Sequence, residues 1–181
     1  MCCVAKIYTS ILNTRLQRFL ELNDLLVEEQ NGFRAARSCL DHILVLCTIL
    51  RNRISLGLDT FLTFVDFQKA FDSVNRNMLL FKLLKLGING NFYRAISAMY
   101  NNPKARVILN SHETDCFSCP IGVKQGDSIS ATLFAIFIND LAQQVKESGV
   151  EIALGDDRNT IMSILLYADD SVLMAADESD L

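Results

Sequence analysis

Ile161-Met162-Ser163-Ile164-Leu165-Leu166-Tyr167-Ala168-Asp169-Asp170-Ser171-Val172-Leu173-Met174-Ala175-Ala176 holds two apolar runs on either side of a short acidic turn. Each run is long enough for a strand, so the stretch predicts a hairpin with Tyr167–Asp170 at its tip. Adjacent aspartates repel each other, and a plain hairpin favours Asn-Gly or Asp-Gly at such a place. Two carboxylates held there by an apolar scaffold suit a divalent cation, because Mg²⁺ takes hard oxygen ligands. Alone, the pair reads sooner as a solvated acidic turn than as a metal site.

A second apolar run ends the same way. Phe61-Leu62-Thr63-Phe64-Val65 leads into Asp66, followed by Phe67-Gln68-Lys69-Ala70-Phe71-Asp72-Ser73-Val74-Asn75-Arg76, a strand giving way to a turn and a helix. If the two strands are neighbours in one sheet, Asp66 faces the Asp169 turn. Carboxylates from separate elements then surround one space, as a two-metal phosphoryl-transfer site requires, with cations roughly 3.5–4 Å apart.

Outward from these strands, helical periodicity covers Lys6–Leu20, with basic residues on the polar face, and Leu40–Arg53 beyond a polar connection at Asn31–Ser38. Helices are expected over Asn75–Leu86, ended by Gly87, and over Asn91–Tyr100. Ala105–Leu109 and Asp115–Ser118 read as paired strands around Asn110-Ser111-His112. A long helix capped by Ser128 or Ser130 is expected to reach about Lys146. The sum is an α+β fold: an antiparallel sheet with helices packed behind it. Gly155-Asp156-Asp157 is also acidic, but a polar connection surrounds it, so it reads as a solvated loop between strands.

The 181 residues suit one domain, and half are hydrophobic with only two prolines, which argues for a packed core rather than disorder. No apolar run is long enough to span a membrane, and Met1–Ala5 does not open a secretory signal. Cys116-Phe117-Ser118-Cys119 has a metal-ligand spacing, but no second pair follows and only His112 is near. Of the other four cysteines, Cys2 and Cys3 could complete a zinc site; ordinary reduced thiols are the plainer expectation.

Three blocks together resemble the reverse transcriptases of non-LTR (LINE-type) retrotransposons. They are Phe64-Val65-Asp66-Phe67-Gln68-Lys69-Ala70-Phe71-Asp72-Ser73-Val74, then Gly122-Val123-Lys124-Gln125-Gly126-Asp127-Ser128-Ile129-Ser130, and the Tyr-Ala-Asp-Asp turn. Their order and spacing fit, as does Asn31-Gly32-Phe33-Arg34 upstream. The resemblance covers nearly the whole chain. It implies a polymerase palm over 61–181 and part of the fingers over 1–60, in a single reverse transcriptase domain without its thumb. The family also carries an endonuclease elsewhere in the polyprotein.

The resemblance further implies RNA-directed DNA polymerase activity with two Mg²⁺ ions, Mn²⁺ being the alternative. Asp66 and Asp169 would hold the metals, with the Phe67 backbone carbonyl as a further ligand. Asp170 would be either a direct ligand or a carboxylate that orients the others. Phe71 would exclude a ribose 2′-hydroxyl; core packing is its plainer role. Gln125 and Gly126 would lie beside the nascent base pair, Arg34 and Arg37 would contact triphosphate or template, and Tyr167 would pack near the primer terminus. An RNA template, a DNA primer and deoxynucleoside triphosphates would be the partners, in an intracellular ribonucleoprotein of nucleus or cytoplasm.

Two features depart from the family pattern. Ala131 follows Ser130 where proline is usual, and the net charge of −4 is opposite in sign to the basic footprint of a nucleic-acid binder. Bound cations would reverse that charge locally. An inactive remnant is the rival reading, though Asp66, Asp169, Gln125 and Phe71 all survive. Ala168 and the ring at Phe71 disfavour an RNA-templated RNA polymerase.

Overall fold

Leu12, Leu16 and Leu20 recur every fourth residue, and the first helix, α1 (Cys3–Leu22), buries that stripe. The computed structural model describes residues 3–110, 112–150, 152–153 and 161–180. After α1 come α2 (Cys39–Ser55), β1 (Phe61–Asp66), a single turn α3 (Ala70–Ser73), α4 (Arg76–Lys85) and α5 (Gly90–Tyr100). The short strands β2 (Lys104–Ala105), β3 (Ile108–Leu109), β4 (His112–Glu113) and β5 (Phe117–Ser118) precede α6 (Ser128–Glu147). The chain continues through β6 (Ile152–Ala153), β7 (Ile161–Met162), β8 (Ile164–Tyr167) and β9 (Asp170–Ala175) to a 3₁₀ turn at Glu178–Asp180.

The central sheet is antiparallel in the order β1-β9-β8. Its alternation of side chains builds two cores. Ile164, Leu166 and Leu173 point to one side and pack with Ala142, Leu141 and Val145 of α6. Leu62, Leu165, Val172 and Met174 point to the other and pack with Val45, Leu46 and Ile49 of α2. Beyond α6 the largest core joins it to α1, α4 and α5 through Leu16, Leu20, Leu79, Leu83, Ile96 and Leu133. Helices therefore lie behind the sheet as the sequence suggests, but α2 also covers part of its other face.

Local chemistry sets the element ends. Ser38 Oγ accepts the Asp41 N–H at 3.3 Å while Asp41 Oδ2 accepts the Ser38 N–H at 2.7 Å, a capping box that starts α2. Asn75 Oδ1 accepts the Met78 N–H at 3.1 Å and starts α4, which Gly87 ends with φ +83°. The cap of α6 differs from expectation. Asp127, not Ser128 or Ser130, occupies the N-cap position, and its buried carboxylate makes no cap hydrogen bond. Ser130 Oγ is instead 3.3 Å from the Tyr100 hydroxyl.

The hairpin expected over 105–118 is broken into two pieces. Lys104–Ala105 pairs with Phe117–Ser118, and Ile108–Leu109 pairs separately with His112–Glu113. The Val107 N–H donates to Thr114 Oγ1 at 3.0 Å, and that side-chain acceptor interrupts the ladder between them. The reading of Gly155-Asp156-Asp157 as a loop falls outside the described residues, as do Cys2 and Ser111.

Candidate active site

Register decides which carboxylates meet. Strand β1 lies beside β9 with Asp66 directly opposite Asp170, and Phe64 opposite Val172. Cross-strand partners in an antiparallel pair project to the same face, about 4.5–5.5 Å apart. Tyr167 pairs with Asp170 across the hairpin, which leaves Ala168 and Asp169 as its two loop residues. Asp169 thus sits at the tip, one residue beyond the ladder, while Asp66 and Asp170 are exposed at the strand ends. Ser171 Oγ donates to the Val65 carbonyl at 3.2 Å and ties the two strands together beside the acids.

Asp66 and Asp170 stand at one end of a groove of about 310 Å³ between the sheet and α2, walled by Phe64, Val172, Leu165, His42, Ile43 and Leu46. Among the described residues, no three His, Cys, Asp or Glu side chains are gathered closely enough to hold a metal ion by themselves. The donor set still fits Mg²⁺, which is commonly held through one or two carboxylates while substrate phosphates and water complete its octahedron. Cys116 is exposed and Cys119 is half-buried.

Phe71 is half-buried between two rings. It stacks on Phe134 of α6 at 4.7 Å with planes 18° apart, and meets Phe33 edge-on at 6.0 Å. Gln125 Nε2 donates to Asp72 Oδ1 at 2.9 Å, joining the second block to the first. Gly122 has φ +82°, and a Cβ there would lie 2.7 Å from the Asp72 carbonyl oxygen, so this approach needs glycine. Arg76 reinforces it: Nε and Nη2 donate to the Gly122 and Ile121 carbonyls at 2.6 and 2.8 Å, and Nη1 to that of Cys119. At Gly126, φ is +75° with no protein atom within 4 Å of where a Cβ would sit.

What sequence reasoning missed is the contact that Glu29, Gln30 and Asn31, in the segment 29–34, make with β8. The Asn31 N–H donates to the Leu166 carbonyl at 3.0 Å and the Leu166 N–H to the Glu29 carbonyl at 2.8 Å, a one-residue parallel bridge on β8. Arg34, expected at nucleotide or template, is buried within this segment. Its Nε and Nη2 donate to Glu21 at 2.9 and 2.7 Å, and its Nη1 to the Val27 and Gln30 carbonyls at 2.9 and 3.3 Å. Arg37 is more exposed, pairing with Glu28 at 2.6 Å. Tyr167 is half-buried with its ring edge-on to His42 at 6.5 Å.

Two of these groups predict a pH response. Burial holds the His42 imidazole below its ordinary value of 6.5, and the Arg34 hydrogen bonds hold Glu21 below its ordinary 4.5. In both cases the unfolded chain takes up a proton before the folded one. His42 therefore contributes stability that declines as pH falls below 6.5, and Glu21 contributes stability that declines below 4.5. The melting temperature followed by circular dichroism should fall in two stages on acidification. His42→Gln should remove the upper stage and leave the lower one.

A sheet carrying acids from β1 and the β8–β9 hairpin, backed by helices, is the architecture of a polymerase palm. Comparison with known proteins agrees: the family model described as reverse transcriptase (RNA-dependent DNA polymerase) matches residues 1–181. The chain belongs to the reverse transcriptase family.

It is 26% identical over 167 residues to the Pol polyprotein of the type-2 retrotransposable element R2DM of Drosophila melanogaster, covering 92% of this chain and 15% of that protein. It is 25% identical over 177 residues to the 149 kDa protein of transposon TX1 of Xenopus laevis, covering 97% of this chain and 13% of that one. The chain thus spans about a seventh of these relatives. Apo telomerase of Candida tropicalis superposes with a TM-score of 0.64 at 12% identity, over 97% of this chain and 35% of that one. Candida albicans telomerase in complex with a fragment of telomeric RNA superposes with a TM-score of 0.55 at 14% identity, over 94% of this chain and 30% of its own. Among the described residues no helix is long and apolar enough to cross a membrane.

Proposed function

We propose that this chain is the catalytic core of a retrotransposon RNA-directed DNA polymerase that extends a primer with deoxynucleotides by two-metal phosphoryl transfer. The supporting observation is the register that sets Asp66 against Asp170, with Asp169 on the adjoining turn. Residues 1–60 would form part of the fingers and 61–181 chiefly the palm. An RNA template, a DNA primer and deoxynucleoside triphosphates are the partners, and an intracellular ribonucleoprotein in nucleus or cytoplasm is the setting.

Two divalent ions, when bound, would lower the pKa of the primer 3′-hydroxyl and neutralise the triphosphate as pyrophosphate departs. Asp66 and Asp169 would hold them, joined by the Phe67 carbonyl, while Asp170 ligates or orients. The open space over Gly126 suits a base pair approaching the backbone, with Gln125, its amide held by Asp72, next to it in the chain. Tyr167, steadied by His42, would lie by the primer end. Arg37 is the arginine we assign to substrate; Arg34 would shape the segment that carries it.

Phe71 would discriminate against ribonucleotides, because a ring fixed between Phe33 and Phe134 cannot yield to an extra hydroxyl. Phe71→Ala should raise ribonucleotide relative to deoxynucleotide incorporation by about 10–100-fold, judged from the size of comparable pocket effects. Competitive incorporation assays measure that ratio.

Primer extension on an RNA template with Mg²⁺ and deoxynucleotides, comparing the chain with Asp169→Asn, tests the central reading. Low-level extension by the parent alone supports it. Equal extension by both overturns the metal assignment, and silence from both favours an inactive remnant.

A further inference from the structure

The Ala168–Asp169 tip is held from outside the hairpin. Ala168 has φ +61°, a conformation that suits glycine at the first loop position of such a turn. A two-residue hairpin also leaves the N–H and C=O of that residue without a partner in the ladder. Here both are met by one side chain. The Ala168 N–H donates to Gln30 Oε1 at 3.2 Å, and Gln30 Nε2 donates to the Ala168 carbonyl at 3.5 Å. Gln30 Oε1 also accepts the Gly32 N–H at 2.7 Å, which fixes the amide's orientation. Gln30 is fully buried, and the Leu166 bridge holds its backbone at the base of the turn.

We propose that Gln30 is a positioning residue for the metal-binding turn, an inference that rests on the metal reading above. Three neighbouring carboxylates repel one another before any cation arrives, and this repulsion favours opening of the tip. A buried amide gripping both polar groups of Ala168 opposes that opening. It therefore keeps the Ala168–Asp169 turn closed beside the Asp66–Asp170 pair in the metal-free protein. Gln30 touches neither substrate nor ion; it acts through the backbone of Ala168.

Mn²⁺ binding to the whole chain, titrated by electron paramagnetic resonance, tests this without reliance on turnover. Gln30→Ala and the volume-conserving Gln30→Met should each weaken Mn²⁺ binding about tenfold or more at a temperature where both remain folded, the size typical of groups that orient metal ligands. Asp169→Asn should lose the site. Parental affinity in the Gln30 variants with loss in Asp169→Asn, even if their melting temperatures fall, overturns the positioning role and spares the metal reading. Parental affinity in Asp169→Asn overturns both. Should the Gln30 variants fail to fold, amide exchange in the parent decides. Ala168 should exchange far more slowly than an exposed hairpin tip, and exchange near the unprotected rate overturns the proposal.

Discussion

Primer extension by the Asp169→Asn chain should fall by about 10³-fold or more, and Asp66→Asn should do the same. The magnitude follows from charge: bound metal ions would supply several kcal/mol to the transition state under the proposed mechanism, and each 1.4 kcal/mol is about a factor of ten. Asparagine keeps the volume and one acceptor oxygen but removes the negative charge that makes a carboxylate a hard ligand. Neither substitution should disturb folding, since Asp66 is exposed and Asp169 is at a hairpin tip. Asp170→Asn separates its two assigned roles. As an orienting carboxylate it should cost about 10–100-fold, and as a full ligand it should match the other two. Single-nucleotide extension rates, with circular dichroism as the folding control, measure all three.

The second large effect is structural. A Cβ at Gly32 would lie 2.0 Å from the Ala168 nitrogen and 2.7 Å from its Cα, and both are backbone atoms with no rotamer to escape into. Gly32→Ala should therefore destabilise the chain by about 3 kcal/mol or more, the upper range for overpacking. That corresponds to roughly 10 °C in melting temperature for a chain of this size. Gly57→Ala provides the contrast. No atom lies within 4 Å of the added carbon there, so only the φ of +68° opposes it. Its cost should stay near 1–2 kcal/mol. Thermal denaturation of the two variants side by side checks the difference.

What the sequence made legible was what repeats or what carries chemistry. The β-branched and aromatic run before Asp66 and the paired runs around Tyr167–Asp170 predict β1, β8 and β9, and the structure adds that they are neighbours in one sheet. The leucine spacing of α1 and the Ser38–Asp41 box of α2 are local signals with local consequences. The bridge from Gln30 to Leu166 left no such mark, because one parallel pair has no period and its partner lies far along the chain. Arg34 was ambiguous for a related reason: a guanidinium serves an anion or a neighbouring glutamate equally well, and Glu21 was not visible as its partner. The α6 cap shows preference yielding to tertiary demand, with Tyr100 engaging the serine that local rules would have placed at the helix end.

The pairing of β1 with β9 also bears on how the molecule is made. Ser171 meets Val65 across 106 residues of sequence, whereas most helices close over a few. Contacts of such separation are slow to form, since a long loop must close before they stabilise anything. During synthesis Asp66 emerges early on a strand whose neighbour has not yet been translated. The helices can settle while that strand waits, its Phe64 still 71% exposed even in the finished fold. The two halves of the carboxylate set come together only when the β8–β9 hairpin docks on β1, so a chain stalled before that hairpin cannot assemble them.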